Sequence, residues 1–277
     1  MHLRFGFDIA LDLPTSTPLV LLLHTRPEYA IAMRRPQLLR NSAQVPTSTY
    51  FDSFNNVATR LTAPAGTLEL ALEGLCEVSD QPDPLDRLAI PRPVPELPDE
   101  SLTYLLPSRY CESDLLGEFA WSRFGQTPVG WERVQAICDF VHGHLRFSYP
   151  EARPTRTAFQ AWQERVGVCR DFAHLGITLC RCLNIPARYV TGYLGDIGVP
   201  RDPAPMDFSA WFEVLLGDRW FTFDPRHNTR RIGRLPIARG RDAADCAMIT
   251  SFGPHALRRF VVVTEEVPAP ASAGAAA

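Results

Sequence analysis

The stretch Gly167–Pro186, GVCRDFAHLGITLCRCLNIP, predicts one apolar helix that carries a cysteine in its first turn. Phe172, Leu175 and Leu179 recur at helical spacing, and the closing Asn-Ile-Pro ends the helix because proline cannot continue it. The helix macrodipole is positive at the first turn, so we expect it to favour the thiolate of Cys169 and to lower its pKa. A free cysteine is more often a buried structural residue, and its position alone does not separate these two interpretations.

Strand patterns follow this helix. Residues 187–193 form one strand-like stretch, and residues 208–216 place alternate hydrophobic side chains on one face. Gly217-Asp218 is a two-residue hairpin signal, and residues 220–224 form the returning strand. Helices followed by an antiparallel sheet, with a cysteine at their junction, predict an α+β fold.

The chain before residue 109 has two parts. Residues 1–78 alternate strictly between apolar and polar side chains near both ends, which predicts a small N-terminal all-β domain. Residues 79–108 contain seven prolines, which predicts an extended linker without regular structure.

Residues 109–266 form the predicted core domain. Its other predicted elements are helices at 113–121, from Thr127-Pro128 onward and at 157–165, the last ended by Gly167, and a late strand at 260–264. The Ala/Pro/Ser-rich segment 267–277 is predicted to be a disordered tail.

Composition excludes several classes of protein. The 28 basic residues are all arginine and the net charge is −3, so the overall charge indicates no nucleic-acid partner. The longest apolar run, residues 19–23, is too short to span a bilayer, and the first residues do not resemble a secretory signal. The seven cysteines are an odd number and scattered, so a reducing cytoplasm is the expected location. No pattern indicates an oligomeric state.

Four motifs occur in order along the core: Gly167-Val-Cys-Arg-Asp171, Asn184-Ile-Pro-Ala-Arg188, Asp207-Phe-Ser-Ala-Trp-Phe-Glu213 and Trp220-Phe-Thr-Phe-Asp-Pro-Arg-His-Asn228. Together they resemble the bacterial transglutaminase-like superfamily, which shares its core with papain-like peptidases. Residues 130–264 are similar to that core, and residues 1–78 to the β-rich region that often precedes it. The resemblance implies helices packed on an antiparallel sheet and a cysteine-dependent reaction without a cofactor or metal.

The resemblance also implies roles for three positions. Cys169 matches the nucleophile, which would attack an amide or ester carbonyl and form a thioester acyl-enzyme. Asp224 matches the acid that orients the histidine, and the backbone N–H of Cys169 is a candidate oxyanion donor. The family pattern Asp-x-His-Ala-Trp-x-Glu places Ser209 where the histidine belongs.

Ser209 is the departure from the family pattern. A serine hydroxyl accepts no proton near neutral pH, and loss of positioned acid–base help costs about 10²–10⁴ in rate. Three explanations stay open: a natural loss of activity, a changed chemistry, or an engineered inactive variant. His227 lies three residues after Asp224 and is interpreted as a family turn residue, not a replacement.

Other polar motifs receive structural interpretations. His174 lies about 140° around the helix from Cys169 and is expected to be packed. His142 and His144 stand two residues apart, as do Cys180 and Cys182, and neither pair can chelate a metal from one helix face.

Possible substrate contacts form the last group. Trp211, Tyr193 and Arg170 are candidate substrate-binding residues, although a tryptophan there is more often part of the core. The six arginines within 226–241 either hold a substrate carboxylate or pin their loop to acidic residues, and Glu213 is expected to pair with an arginine.

Two functional hypotheses follow. The first is a cysteine-dependent amide hydrolase or acyltransferase that acts on a peptide, a protein or a small amide, impaired by Ser209. The second is a pseudoenzyme that binds a peptide or protein in the retained cleft. The sequence names neither the substrate nor the acyl acceptor.

Overall fold

The structure is a computed structural model that describes residues 1–268 and confirms an α+β fold. The strands are β1 (His2–Leu13), β2 (Thr17–Leu21), β3 (Met33–Arg35), β4 (Arg40–Asn41), β5 (Ser48–Phe51), β6 (Val57–Ala63), β7 (Gly66–Glu77), β8 (Arg146–Phe147), β9 (Val166–Gly167), β10 (Ala187–Tyr193), β11 (Ser209–Leu216), β12 (Arg219–Phe223), β13 (Leu235–Gly240), β14 (Ile249–Ser251) and β15 (Ala256–Val267). The helices are α1 (Asp99–Leu102), α2 (Ser113–Phe124), α3 (Trp131–His144), α4 (Ala158–Glu164) and α5 (Cys169–Cys182).

The strands form three larger sheets. We call the sheet with order β15-β1-β7-β3, in which β4 also pairs with β7, the terminal sheet. The sheet β14-β2-β6-β5 is the small sheet, and β12-β11-β10-β13 is the core sheet. Their pairings are antiparallel, whereas β8 and β9 form a separate parallel pair.

The terminal sheet joins the two ends of the described chain. Alternate β1 side chains from Leu3 to Leu13 are buried, as the strict alternation predicts. The assignment of the late strand to the core domain is wrong: β15 pairs with β1 over its length, with Phe5 opposite Thr264, and β14 pairs with β2. Val267 ends β15 and is therefore not part of a tail; the rest of the predicted tail, beyond Pro268, lies outside the described residues.

The segment 79–108 is more structured than its prolines predict. It contains 3-10 turns at Val94–Glu96 and Thr103–Leu105 beside α1, so the prediction of no regular structure is wrong. Asp83 accepts a hydrogen bond from Arg234 at 2.9 Å, and Tyr104 is 8% exposed. Proline tolerates the first turn of short helices, and tertiary contacts hold this segment against the core.

The core sheet packs directly on α5. Gly176 faces Phe212, and a Cβ at this glycine would lie 2.6 Å from the Phe212 ring, so the helix and the sheet approach too closely for any larger residue. Phe212 in turn stacks on Phe223 across the β11–β12 pair, with ring centroids 6.0 Å apart. The predicted turn at Gly217-Asp218 joins these strands, with Gly217 at φ 60°.

Two helix ends differ from prediction. Helix α3 begins at Trp131 instead of Thr127-Pro128, because Gly130 has φ 103° and the Trp131 N–H donates to the Ala89 carbonyl at 3.1 Å. Helix α4 begins after the N-cap Thr157 as expected, but it ends at Arg165, whose left-handed conformation caps the helix before Gly167.

The aromatic side chains of the terminal and core sheets pack together. Phe5 and Tyr193 have ring centroids 5.0 Å apart, and Phe208 lies 6.2 Å from Phe7 and 5.7 Å from Phe260. No helix within residues 1–268 is both long and apolar enough to cross a membrane.

Candidate active site

Cys169 is the first residue of α5, as predicted. Gly167 is required two residues earlier, because a Cβ there would lie 2.6 Å from the Cβ of Asp171. The Asp171 carboxylate accepts a hydrogen bond from the Val168 N–H at 3.0 Å and forms an ion pair with Arg156 at 3.2 Å. This buried network fixes the start of the helix and therefore the position of the thiol.

The expected low pKa of Cys169 is wrong. The residue is 8% exposed, and burial raises its thiol pKa to about 11, to which the carboxylates of Asp207 and Asp224 contribute. The guanidinium of Arg226 and a hydrogen bond from the Ala210 N–H act in the opposite direction but do not outweigh burial. The resting group is a neutral thiol, because desolvation disfavours its charged form.

Ser209 opens β11 beside the thiol. It lies opposite Gly192 of β10, its carbonyl accepts from Thr191 Oγ1 at 3.1 Å, and the next residue, Ala210, hydrogen-bonds to Cys169. The structure therefore places Ser209 next to the nucleophile, at the position that the motif assigns to the histidine.

Asp224 follows β12 and is 6% exposed. Its Oδ1 accepts from the N–H groups of Arg226 and His227 at 3.1 and 3.3 Å, and its Oδ2 accepts from Arg234 at 2.9 Å. Burial by itself raises the pKa of this carboxyl, but the charge of Arg234 and the contacts with His227 outweigh it and hold the pKa well below its usual value. Asp224 is therefore an ionised, fixed acceptor.

His227 is the partner that the motif interpretation missed. Its Nδ1 lies 2.8 Å from Asp224 Oδ2, and its side chain is 23% exposed. Because the carboxylate is ionised, Nδ1 carries the proton and Nε2 is left as the basic nitrogen. The sequence signal for this contact was local, because an Asp-Pro-x-His turn folds the histidine back onto its own aspartate.

Helix α3 clamps this turn. His142 Nδ1 donates to the Pro225 and Arg226 carbonyls at 3.0 Å each. Asn228 bonds to Gln135 at 2.9 Å and to Asp139 at 2.8 Å. The turn from 224 to 228 is consequently held by three side chains of one helix.

His144, in contrast, bonds to the Trp162 carbonyl at 2.7 Å, whereas His142 bonds at the turn. The two histidines thus face different elements, in line with the argument that they cannot chelate together.

A cavity of about 820 Å³ opens beside these groups. Its three walls are the segment 194–209, the turn with Arg226, His227 and Arg231, and residues 262–266 of β15. Ser209 and His227 both line it, whereas Cys169 lies behind its neighbours and does not. The serine and the histidine thus share one solvent space next to the thiol.

Arg226 is the cavity cation nearest the chemistry. Its guanidinium stacks 3.9 Å from the Phe147 ring centroid, and within residues 1–268 it has no acidic ion-pair partner. Asp207, also in the wall, is half-buried, and burial raises the pKa of its carboxyl. The Arg226 guanidinium and the Asp207 carboxyl therefore both line the cavity and act in opposite directions on the pKa of the Cys169 thiol.

The three predicted substrate contacts do not line this cavity. Trp211 is 1% exposed beneath the guanidinium of Arg234, and Tyr193 is fully buried against Phe5. Arg170 donates to the Arg153 carbonyl at 2.6 Å and pairs with Asp171. Their contacts are apolar packing or ion pairs within the protein, and a role of these residues in substrate binding stays a prediction.

The arginines after the turn mostly pin their segment. Arg231 pairs with Asp196, Arg234 with Asp83 and Asp224, and Arg241 with Asp245. Glu213 binds Arg188 at 2.6 Å and Arg239 at 3.0 Å, as expected for a structural pair. Arg226 lines the cavity and, within residues 1–268, forms no such ion pair.

His174 is structural, as expected. It is fully buried, its ring stacks on Tyr110 with centroids 5.1 Å apart, and its Nε2 accepts from the Ala243 N–H at 3.1 Å. Burial holds the pKa of its imidazole well below the usual value, so it stays neutral. It is removed from the thiol chemistry by its packing.

Comparison with known proteins gives two kinds of match. A family model described as the transglutaminase-like superfamily matches residues 121–225, a range that includes Cys169, Ser209 and Asp224 and ends just before His227. An uncharacterised protein of Mycobacterium leprae is 34% identical over 88 residues, which cover 29% of this chain and 30% of that protein. The chain thus matches less than a third of that relative's length.

Longer matches support the same grouping. An uncharacterised protein of Mycobacterium tuberculosis strain H37Rv is 24% identical over 230 residues, 76% of this chain and 73% of that protein. The crystal structure of "a Putative Cysteine Protease from Cytophaga hutchinsonii" is 30% identical, covers 98% of this chain and 92% of its own, and superposes with a TM-score of 0.83. The motifs, the fold and this full-length match together show that the chain belongs to the transglutaminase-like superfamily.

Proposed function

We propose that the protein is a cysteine-dependent amide hydrolase or acyltransferase in which His227 supplies the imidazole that Ser209 lacks. One observation supports it above the others: His227 Nδ1 lies 2.8 Å from Asp224 Oδ2, and its ring lines the same cavity as Ser209. An aspartate that orients an imidazole is the acid–base part of a cysteine-dependent site, and Asp224 also acts on the pKa of the Cys169 thiol.

The reaction begins from a neutral thiol. As the Cys169 sulfur forms a bond to the substrate carbonyl carbon, its proton moves to His227 Nε2 and the carbonyl π electrons move to the oxygen. The ionised Asp224 stabilises the resulting imidazolium through Nδ1. When the tetrahedral intermediate collapses, the leaving amine takes the imidazolium proton and a thioester remains on Cys169.

Deacylation runs the same steps in reverse order. Water or an acceptor amine gives a proton to His227 and attacks the thioester, and the thiol regains that proton as it leaves. The N–H of Cys169, at the first position of α5, has no intrahelical acceptor and can donate to the oxyanion. A base is needed at each attack because a thiol of pKa about 11 is almost wholly protonated at neutral pH.

The substrate class follows from the cavity and from the relative. A cavity of about 820 Å³ accommodates several residues of a peptide or a small amide. The description of the Cytophaga hutchinsonii protein as "a Putative Cysteine Protease" favours a peptide or protein substrate. The seven cysteines form no disulfide, which suits a reducing cytoplasm.

Acyl-enzyme formation tests the proposal. The protein is mixed with p-nitrophenyl acetate and, separately, with a fluorogenic peptide amide, and Cys169 acylation and turnover are followed by mass spectrometry and fluorescence. Cys169→Ala should abolish the adduct at this position, and His227→Asn should slow acylation by about 10²–10⁴. His255→Asn, at an exposed histidine outside the cavity, is the matched control and should change nothing.

Equal acylation rates in the original protein and in His227→Asn would refute the role of His227. Adding dansylcadaverine distinguishes the acceptors, because an acyltransferase attaches it to the acyl group whereas a hydrolase releases the free acid.

A pseudoenzyme is the second candidate, and the burial of Cys169 favours it. The thiol is 8% exposed and does not line the cavity, which suits a protein that binds a peptide without cleaving it. This candidate predicts peptide binding that Cys169→Ala leaves unchanged and no acyl adduct. Turnover that depends on Cys169 would exclude it.

A further inference from the structure

Strand β15 is a long sheet edge. It has 12 residues, and within residues 1–268 its strand partner is β1 alone. The other edge strands of the terminal, small and core sheets have between two and six residues. Short edges are a usual protection against unwanted pairing, and β15 lacks that protection.

The middle of β15 is apolar and exposed. Leu257 is 60% exposed, Phe260 40% and Val261 46%. No proline interrupts the strand. Its one register shift is at Arg258, which has no opposed residue in β1, and the pairing is regular from Arg259 to Val267. The open N–H and C=O groups of such a strand invite another strand.

The charged residues along β15 indicate which strand would pair with it. Two arginines, Arg258 and Arg259, precede the apolar stretch, and two glutamates, Glu265 and Glu266, follow it. A strand with this order is complementary to itself when it runs in the opposite direction. An unrelated peptide would match it only by coincidence, whereas a second copy of the chain always does.

We propose that two copies of this protein pair antiparallel through β15 about a two-fold axis at Val262. Opposed residues of the regular stretch 259–265 then have numbers that sum to 524, so Arg259 of each copy faces Glu265 of the other. Phe260 faces Thr264, and Val261 faces Val263. The terminal sheets of both copies join into one continuous sheet.

This register is favoured over its neighbours. A shift of two residues is the smallest that keeps the same side chains on the same face. A shift in either direction places both glutamates opposite apolar residues and both arginines opposite residues without charge. Each shift therefore loses both Arg259–Glu265 pairs, which contribute when the two residues lie directly opposite.

Charged side chains already form ion pairs on the outer face of the terminal sheet, and the pairs between the two copies would add to them. Glu265 binds Arg4 at 2.5 Å, and Arg259 binds Asp8 at 2.8 Å and Glu69 at 3.0 Å. In the dimer, Glu265 of each copy lies opposite Arg259 of the other copy. Positive and negative side chains therefore alternate across the junction between the two sheets.

The pairing would also shape the active site. Residues 262–266 of β15 form one wall of the cavity beside His227, so a strand added at this edge lies against that wall. The second copy would then bring its Arg259 and Phe260 to the rim of the first copy's cavity, and each copy would contribute to the other's substrate groove.

Charge reversal tests the pairing by analytical ultracentrifugation over a concentration series. The original protein should show a concentration-dependent dimer. Arg259→Glu and Glu265→Arg should each weaken dimerisation by about tenfold or more, because each places like charges opposite one another twice. An equimolar mixture of the two variants should dimerise again, because every pair across that interface is then of opposite sign.

Arg123→Glu on α2 is the matched control and should dimerise like the original protein. Circular dichroism melts verify that each variant is folded. A strictly monomeric original protein, a dimer that both reversals leave intact, or a mixture that stays monomeric would overturn the proposal.

The register has its own test. Val262→Cys places two cysteines opposite one another at the two-fold axis, within the distance that a disulfide spans. Mild oxidation should cross-link this variant, while Val261→Cys, which faces Val263, should cross-link much more slowly. Equal cross-linking of both variants would contradict the register.

Discussion

Two positions that line the cavity, Ser209 and the turn with His227, differ in how firmly the structure holds them. Ser209 begins β11 and is anchored by its backbone, with its carbonyl bonded to Thr191. The turn after Asp224 is held by its own aspartate, by Arg234 and by His142 of α3. The motif assigns the imidazole to the first position, but the supporting contacts are at the second.

The difference shows what an acid–base group requires. An imidazole works only when a neighbour fixes its tautomer and stabilises its charge. At the turn, Asp224 does both for His227, and buried Arg234 keeps that carboxylate ionised. Under the proposed function, a serine at position 209 would therefore cost the site less than the motif alone suggests.

Asp224→Ala should have the largest effect on this comparison. It leaves Arg234 buried with one acidic partner fewer and removes two caps from the turn, so we expect the protein to lose about 3–5 kcal/mol of unfolding free energy. Ser209→Ala removes no charge and should stay within about 1 kcal/mol. Urea unfolding of both variants measures the contrast, and equal losses would contradict it.

The pH dependence of stability should follow Asp224. Its pKa is lower in the folded than in the unfolded chain, so the folded state binds fewer protons in acid. The contribution is complete above the usual aspartate pKa of about 4 and is lost as the pH falls through the lowered folded value. Unfolding free energies below pH 5 should fall less steeply in Asp224→Asn, whereas Ser209→Ala should keep the original slope.

Ser209→His should have a smaller effect. If the turn already supplies the imidazole, a second one at position 209 should change kcat/KM for amide hydrolysis by less than about tenfold. A gain of several hundredfold from an inert starting protein would instead show that the original site is disabled.

Asp207→Asn should have the smallest effect. The Asp207 carboxylate raises the pKa of the Cys169 thiol, so its removal should lower that pKa and speed alkylation by iodoacetamide at pH 8. Asp202→Asn, at an exposed position in the same cavity wall, is the control and should leave the rate nearly unchanged. A slower reaction in Asp207→Asn would reverse the assigned sign.

Local patterns predicted the local parts of this molecule. The glycine at 167, the apolar spacing after it and Gly217-Asp218 located α5 and the β11–β12 hairpin, because each depends on neighbours along the chain. The start of α3 at Trp131 depends on Ala89, about 40 residues away, and the pairing of β15 with β1 leaves no local signal.

The candidate site shows the same limit of prediction from local sequence patterns. Cys169 and Ser209 were placed beside one another correctly, but the pKa of the thiol was not, since burial is decided by the whole fold. Trp211 and Tyr193 were proposed as contacts from their chemistry, and packing buried both.

Because β1 is synthesised first and β15 last, their pairing determines when the fold can be completed during translation. Phe5 leaves the ribosome 259 residues before its neighbour Thr264 (264 − 5), and the same late strand forms a wall beside His227. A nascent chain can fold α5 and still have no walled groove in which to hold a substrate. If the protein is the hydrolase proposed above, its cavity is therefore complete only after translation has passed β15.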